Sequence, residues 1–222
     1  MSAVRGYYAS VNVVKAYFGS YREVFARDLY EAFTGLLVAG DVQTAREATL
    51  FLFDRQQQAD GSMPRNSLER NARARHRGLQ LDETAYPLLM AWQSGLAGDS
   101  ALYHQHVIPA ADFLVAHGPS AGLERWEEQS GYSQSTTAAE IASLTAAARI
   151  VGANGDSTRA AIYQATADHF ARNIKTWTVT NTVRTSAPTS RATSSASPRP
   201  AIRMRPPHTA WATEAPPPTS AR

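Results

Sequence analysis

Helical periodicity, sustained along most of the chain and then lost at one point, constrains this sequence more than any other feature. Between about residues 7 and 175, apolar residues recur at three- and four-residue spacing, helix after helix. The segment 42–58 places Val42, Ala45, Ala48, Thr49 and Leu52 at that spacing, behind Asp41 as an N-cap. A second run holds Ala85, Leu88, Leu89, Trp92 and Leu96, with Pro87 expected in its first turn, where a missing N–H costs little. A third spans about 100–117, with Pro109 marking a kink or a late start. Thr137-Ala138-Ala139-Glu140 reads as a capping box that opens a fourth. Asn154-Gly155-Asp156 ends that helix and caps a fifth, striped by Tyr163, Ala167, Phe170 and Ile174. No strand-like alternation precedes Trp177, and Thr178-Val179-Thr180 is the first stretch suited to extended backbone. Helix pairs joined by turns such as Ala59-Asp60-Gly61 suit a bundle or an α/α toroid, and the pattern alone does not choose between them.

The composition changes abruptly near Thr180. Eight of the 12 prolines fall beyond it, in a stretch that is almost all Ser, Thr, Ala, Pro and Arg. Such a stretch has too little to bury and is expected to be disordered. The sequence thus divides into a helical part, 1–180, and a tail, 181–222. A linker or tail and translation in a shifted reading frame both account for the bias. The tail also explains the charge. Six arginines and one glutamate lie in 181–222, a local +5, so the overall +3 leaves the body at −2. A mildly acidic body gives no reason to invoke nucleic acid. No long apolar run suggests a membrane span, and Met1-Ser2-Ala3-Val4-Arg5 lacks the apolar core of a signal peptide, so a cytoplasmic product is expected. Cysteine is absent, which removes disulfides and thiolate chemistry.

The sharpest local feature is Glu124-Arg125-Trp126-Glu127-Glu128-Gln129-Ser130-Gly131-Tyr132. It follows a helix stop, Ala116-His117-Gly118-Pro119, and precedes a capped helix, so it lies on a loop, where binding groups concentrate. An indole offers a flat apolar face to a pyranose ring, and carboxylates accept its hydroxyl hydrogens. Repulsion between the two carboxylates raises at least one pKa, as a general acid requires. A solvated acidic turn beside a half-buried Trp is the plainer reading of the pattern alone. Adjacent residues point in different directions, so Glu127 and Glu128 do not form an acid/base couple across one bond. An inverting glycosidase needs carboxyl groups about 6.5–9.5 Å apart. Arg27-Asp28, opening an apolar helix, is a second feature. An Asp there favours the helix by itself, and the pair also suits forked hydrogen bonds to sugar hydroxyls. His104 and His106, two apart on a helix, face different directions and do not suggest a metal site.

Four blocks in order resemble bacterial glucoamylases of glycoside hydrolase family 15. They are Phe25-Ala26-Arg27-Asp28-Leu29-Tyr30-Glu31-Ala32, Asp54 to Ser62, Gly78-Leu79-Gln80-Leu81-Asp82-Glu83, and Arg125 to Gly131. The resemblance covers most of residues 7–179. It implies an all-α fold, part of an (α/α)6 toroid, and inverting hydrolysis of α-linked glucose from non-reducing ends of glucans, without redox cofactor or catalytic metal. It implies Glu127 as general acid, with Trp126, Glu128, Arg27 and Asp28 holding the terminal glucose of an α-glucan or maltooligosaccharide. Three departures stand out. The family's catalytic base lies beyond the end of the match, so impaired turnover is expected. A stretch usual in the family is missing between Ala16 and Tyr17. The Arg-rich segment Leu68 to Arg77 differs from the usual loop and reads as solvated. A sugar binder without turnover is the second reading, and a product without function of its own the third.

Overall fold

The computed structural model describes residues 23–68, 74–76, 78–125 and 130–179. The part of the expected helical run before residue 23, the tail and the residues Trp126 to Gln129 lie outside the described residues. The order is β1 (Glu23–Val24), α1 (Ala26–Val38), α2 (Val42–Gln56), β2 (Asn66–Leu68), β3 (Ala74–His76), α3 (Leu81–Gln93), α4 (Ser100–Leu102), a π-turn (Tyr103–Val107), α5 (Ile108–His117), α6 (Gln134–Ala153) and α7 (Ser157–Thr178).

α1 packs on α2, α2 on α3, α5 on α6 and α6 on α7, and alternate helices also touch: α1 meets α3 and α3 meets α5, while α3 also packs along α6. That alternation is the arrangement of a partial (α/α)6 toroid, and it decides between the two architectures the periodicity leaves open. The core lies along the same contacts. Phe33 of α1, Leu52 and Phe53 of α2, Leu88 and Met90 of α3, Leu114 of α5, Leu144 and Ile150 of α6 and Tyr163 of α7 are all buried. Each such side chain contributes about 1.5–3 kcal/mol of hydrophobic free energy relative to exposure.

Local chemistry sets the helix ends. Asp41 caps α2 by accepting from the Thr44 backbone N–H at 3.1 Å. Asp156 caps α7 through the Arg159 N–H at 3.0 Å, and it also accepts from the Tyr103 hydroxyl. The sequence readings of both caps hold. Pro109 acts through the turn before it. It has no N–H, and the chain widens into a π-turn in which Ile108 N–H reaches back to the Tyr103 carbonyl. The Gln57 side chain takes up the turn's exposed groups, donating to the His106 carbonyl at 2.9 Å and meeting His106 Nδ1 at 2.6 Å.

The sequence reading needs correction at five places. Strands do precede Trp177: β1, β2 and β3 form a small antiparallel sheet in the order β1-β2-β3. β2 takes Leu68 and β3 takes 74–76, so part of the Arg-rich segment is paired backbone. Helix α3 begins at Leu81, which puts Pro87 well inside it instead of in the first turn, and Trp92 of its expected stripe is exposed. Helix α6 begins at Gln134, capped by Ser133, so Thr137 and Glu140 are interior residues and form no capping box. Helix α7 continues through Thr178, and Val179 after it is extended. Thr137 and Glu140 are both wholly buried, and a capping motif would have faced them toward solvent.

Candidate functional site

The N-terminal ends of α1 and α3 meet, and the loop before α6 runs past them. Helix starts expose unpaired N–H groups and a partial positive charge, so carboxylates gather there. Arg27 is the second residue of α1. Its Nη1 donates to Asp82 Oδ2 at 2.8 Å and lies 3.1 Å from Glu83 Oε1. Its backbone N–H, one of the unpaired donors of α1, donates to Glu83 Oε2 at 3.2 Å. Glu83 therefore caps a helix other than its own. The same Nη1 reaches Gln80 Oε1 at 3.4 Å, and Gln80 Nε2 donates to the Glu124 carbonyl at 3.1 Å. One buried amide thus links Arg27 to the backbone two residues before Trp126.

The electrostatics follow from burial. Asp82 and Glu83 are almost fully buried, and the Arg27 side chain is 18% exposed. Burial works against the Arg27 charge, but Glu83 and Asp82 outweigh it and hold the guanidinium above its ordinary pKa. Burial pushes the Glu83 carboxyl up, to about 8, against the pull of Arg27. Burial also raises Tyr86, with Asp82 adding to the effect and the Arg27 and Arg125 charges opposing it. Arg125, on the loop, therefore bears on the same neighbourhood as Arg27.

The loop is tied down on both sides of the undescribed residues. Ala121 and Gly131 exchange backbone hydrogen bonds at 2.8 Å each. Tyr132 stacks on Trp177 of α7 with ring centroids 5.1 Å apart. The described residues next to Trp126 to Gln129, namely Glu124, Arg125 and Ser130, have no helix or strand. A cavity of about 320 Å³ lies beside this loop, lined by Leu79, Leu81, His117, Ser120, Gly122 and Leu123.

Of the site residues named from sequence, Arg27 and Asp28 are described, and they separate. Asp28 is exposed, whereas Arg27 turns into the carboxylate cluster. The two do not form a fork side by side. Trp126, Glu127 and Glu128 lie outside the described residues. Sequence reasoning placed none of Gln80, Asp82, Glu83 and Glu140 in the site, and read Glu140 as part of a capping box. An acidic pair at the start of an apolar helix reads as a dipole complement, and only their burial marks them as more. Among the described residues no cluster of three or more His, Cys, Asp or Glu is arranged to hold a metal ion, and no helix is long and apolar enough to cross a membrane.

Comparison with known proteins gives one consistent answer. A family model described as glycosyl hydrolases family 15 matches residues 65–210. A glucoamylase from Clostridium sp. (strain G0005) is 38% identical over 162 residues, which is 73% of this chain and 22% of that protein. The crystal structure of a bacterial glucoamylase complexed with acarbose superposes with a TM-score of 0.64 at 37% identity, covering 69% of this chain and 22% of the other. The chain therefore spans about a fifth of the length of these relatives.

Proposed function

Because the chain belongs to glycosyl hydrolase family 15, we propose that it carries the acid side of an inverting glucosidase site acting on α-linked glucose at non-reducing ends of glucans. Residues 1–180 are then the catalytic part and 181–222 a tail. The family match runs on to residue 210, so the boundary at 180 rests on composition. The observation that carries the reading is the Gln80 bridge. It brings the start of α1 and the approach to Trp126-Glu127-Glu128 onto one support.

In this reading Glu127 protonates the leaving oxygen, Trp126 presents its face to the terminal ring, and Glu128 and Asp28 accept hydroxyl hydrogens. Arg27, pinned by Asp82 and Glu83, has little freedom to lose on binding, which favours a donor that must be in place beforehand. The site needs no redox cofactor or metal. The carboxylate that activates water lies in a part of the family's domain beyond these residues, so the 222-residue chain alone binds sugar and releases little glucose. The likeness to a glucoamylase complexed with acarbose supports an oligosaccharide ligand.

Calorimetric titration with maltose tests the reading. Binding is expected, weakened about tenfold by Asp28→Asn, as for loss of a charged hydrogen-bond partner. No heat with maltose, or unchanged affinity in Asp28→Asn, would refute it. Glucose release from maltooligosaccharides at ordinary enzyme rates would refute the missing-base part alone. The second reading, a non-catalytic sugar-binding remnant, predicts that maltose still binds but that no glucose is released even when the rest of a family catalytic domain is supplied.

A further inference from the structure

Glu140 stands apart from the cluster around Arg27. It lies on α6, its side chain is wholly buried, and neither carboxyl oxygen has a hydrogen-bond partner among the described residues. The hydroxyls of Thr136, Thr137 and Ser143 are likewise buried and unpartnered. Spaced four and three residues before Glu140 and three after it, they share its helix face. Buried polar groups are nearly always paired, and a set without protein partners marks a place where protons and ordered water settle.

Glu140 also touches the one backbone point that begins the loop. A Cβ at Gly118 would collide with Glu140 Oε1, and it would lie 2.9 Å from the Leu114 carbonyl and 3.1 Å from Phe170 Cε2. The glycine lets the carboxyl lie directly against the main chain where α5 ends. From that point the chain runs through Ala121, whose backbone pairs with Gly131, to Ser133 at the start of α6. Glu140 thus supports one end of the loop from the helix that receives its other end.

We propose that Glu140 is a positioning residue for the start of the loop, 118–125, holding Gly118 in place through a carboxyl that must stay uncharged to remain there. The proposal concerns how the loop of the proposed sugar site is set, and so rests on that reading. The groups facing Glu140 agree with an uncharged state. From α3, the charge bearing on it is Asp82, an anion. Glu83, one residue on, has Arg27 as its partner. At the end of α5, the His117 ring is bonded to the Phe113 carbonyl at 2.9 Å and stacked on the Phe113 ring. From α7, Phe170 closes the Gly118 side. Among the described residues no cation therefore compensates a charge at Glu140, and burial, then Asp82, pushes its pKa up to about 8.

The test measures amide hydrogen exchange across the full chain from pH 6 to pH 9, read as protection factors. Glutamate side-chain carbon NMR is recorded alongside. In the wild-type chain, loop protection is expected to fall about tenfold as the glutamate signal that Glu140→Gln removes titrates, while the middle of α7 is unchanged. Glu140→Gln, neutral and of the same shape, should keep protection at high pH, and Glu140→Ala should lose it at every pH. If Glu140→Ala does not fold, the wild-type and Glu140→Gln profiles decide. The proposal is overturned if Glu140→Gln loses protection over the same pH range as wild type. It is also overturned if loop protection is flat, or falls without that glutamate signal titrating. None of these readouts uses sugar, so failure of maltose binding with intact loop behaviour would count against the proposed function alone.

Discussion

At the scale of single residues, Arg27 and Asp28 do different work despite being neighbours. Arg27 is structural as well as a candidate donor, since it is the cation between two buried carboxylates. Removing one partner of a buried ion pair leaves uncompensated charge and typically costs about 3–5 kcal/mol. Arg27→Ala is expected to lower the free energy of unfolding by about 3 kcal/mol, measured by urea titration, because it takes the cation away from the buried Asp82 and Glu83 side chains. Arg27→Lys keeps the charge but not the planar fork, and should fall between Arg27→Ala and wild type. Asp28 is exposed, and Asp28→Asn should change stability by less than about 0.5 kcal/mol while weakening maltose binding. A large stability loss in Asp28→Asn would show that it, too, is structural. Little of this division was legible in the sequence. The letters Arg27-Asp28 suggested one shared role, whereas the partner that separates them, the pair Asp82-Glu83, lies 55 and 56 residues away.

At the scale of elements, the regular part of the fold was readable and the irregular part was not. Period, caps and stops gave α2, α7 and the end of α5, because these depend on neighbours in sequence. The capping box at Thr137 to Glu140 failed for a physical reason. The same letters that cap a helix from outside line its buried face when the true cap, Ser133, lies one turn earlier. The small sheet was missed because strands of two or three residues carry no alternation to detect. The turn at Ala59-Asp60-Gly61 was readable, but what packs against it was not. Gly61 has φ +89°, and a Cβ there would collide with the Pro109 carbonyl. The turn needs a glycine both for its left-handed backbone and for the close approach of α5. Gly61→Ala is expected to destabilise the chain by more than the roughly 1 kcal/mol of an ordinary left-handed glycine, since α5 must also move. A thermal midpoint within a degree or two of wild type would contradict this. Asp156→Ala removes a cap and the acceptor of the Tyr103 hydroxyl together, with an expected loss of about 1–2 kcal/mol.

At the scale of the whole molecule, the balance of buried charge sets how stability responds to pH. Asp82, Glu83 and Glu140 are buried, and Arg27 is the cation paired with the first two. Burial raises both Glu83 and Glu140 from an ordinary value near 4.5 to about 8. Between those values the folded chain holds protons that the unfolded chain has released. Stability from these groups is therefore fully present below about pH 4.5, falls as pH rises, and is lost above about pH 8. Each group contributes a slope of at most about 1.4 kcal/mol per pH unit in that interval. Carboxylates paired in the usual way act in the opposite direction, as Asp41 and Asp156 do. Hydrogen bonds from Thr44 and Arg159, respectively, hold these below the ordinary range, so their contribution is lost in acid. The two opposing effects predict a maximum in thermal midpoint on the acid side of neutrality. Glu140→Gln should flatten the alkaline side of that profile without moving the acid side, since Gln cannot ionise. Calorimetric scans of both chains from pH 4 to pH 9 measure this directly. An alkaline slope that is the same in both chains would mean that Glu140 is already ionised in the fold and that the seam between α3 and α6 holds charge by some other means.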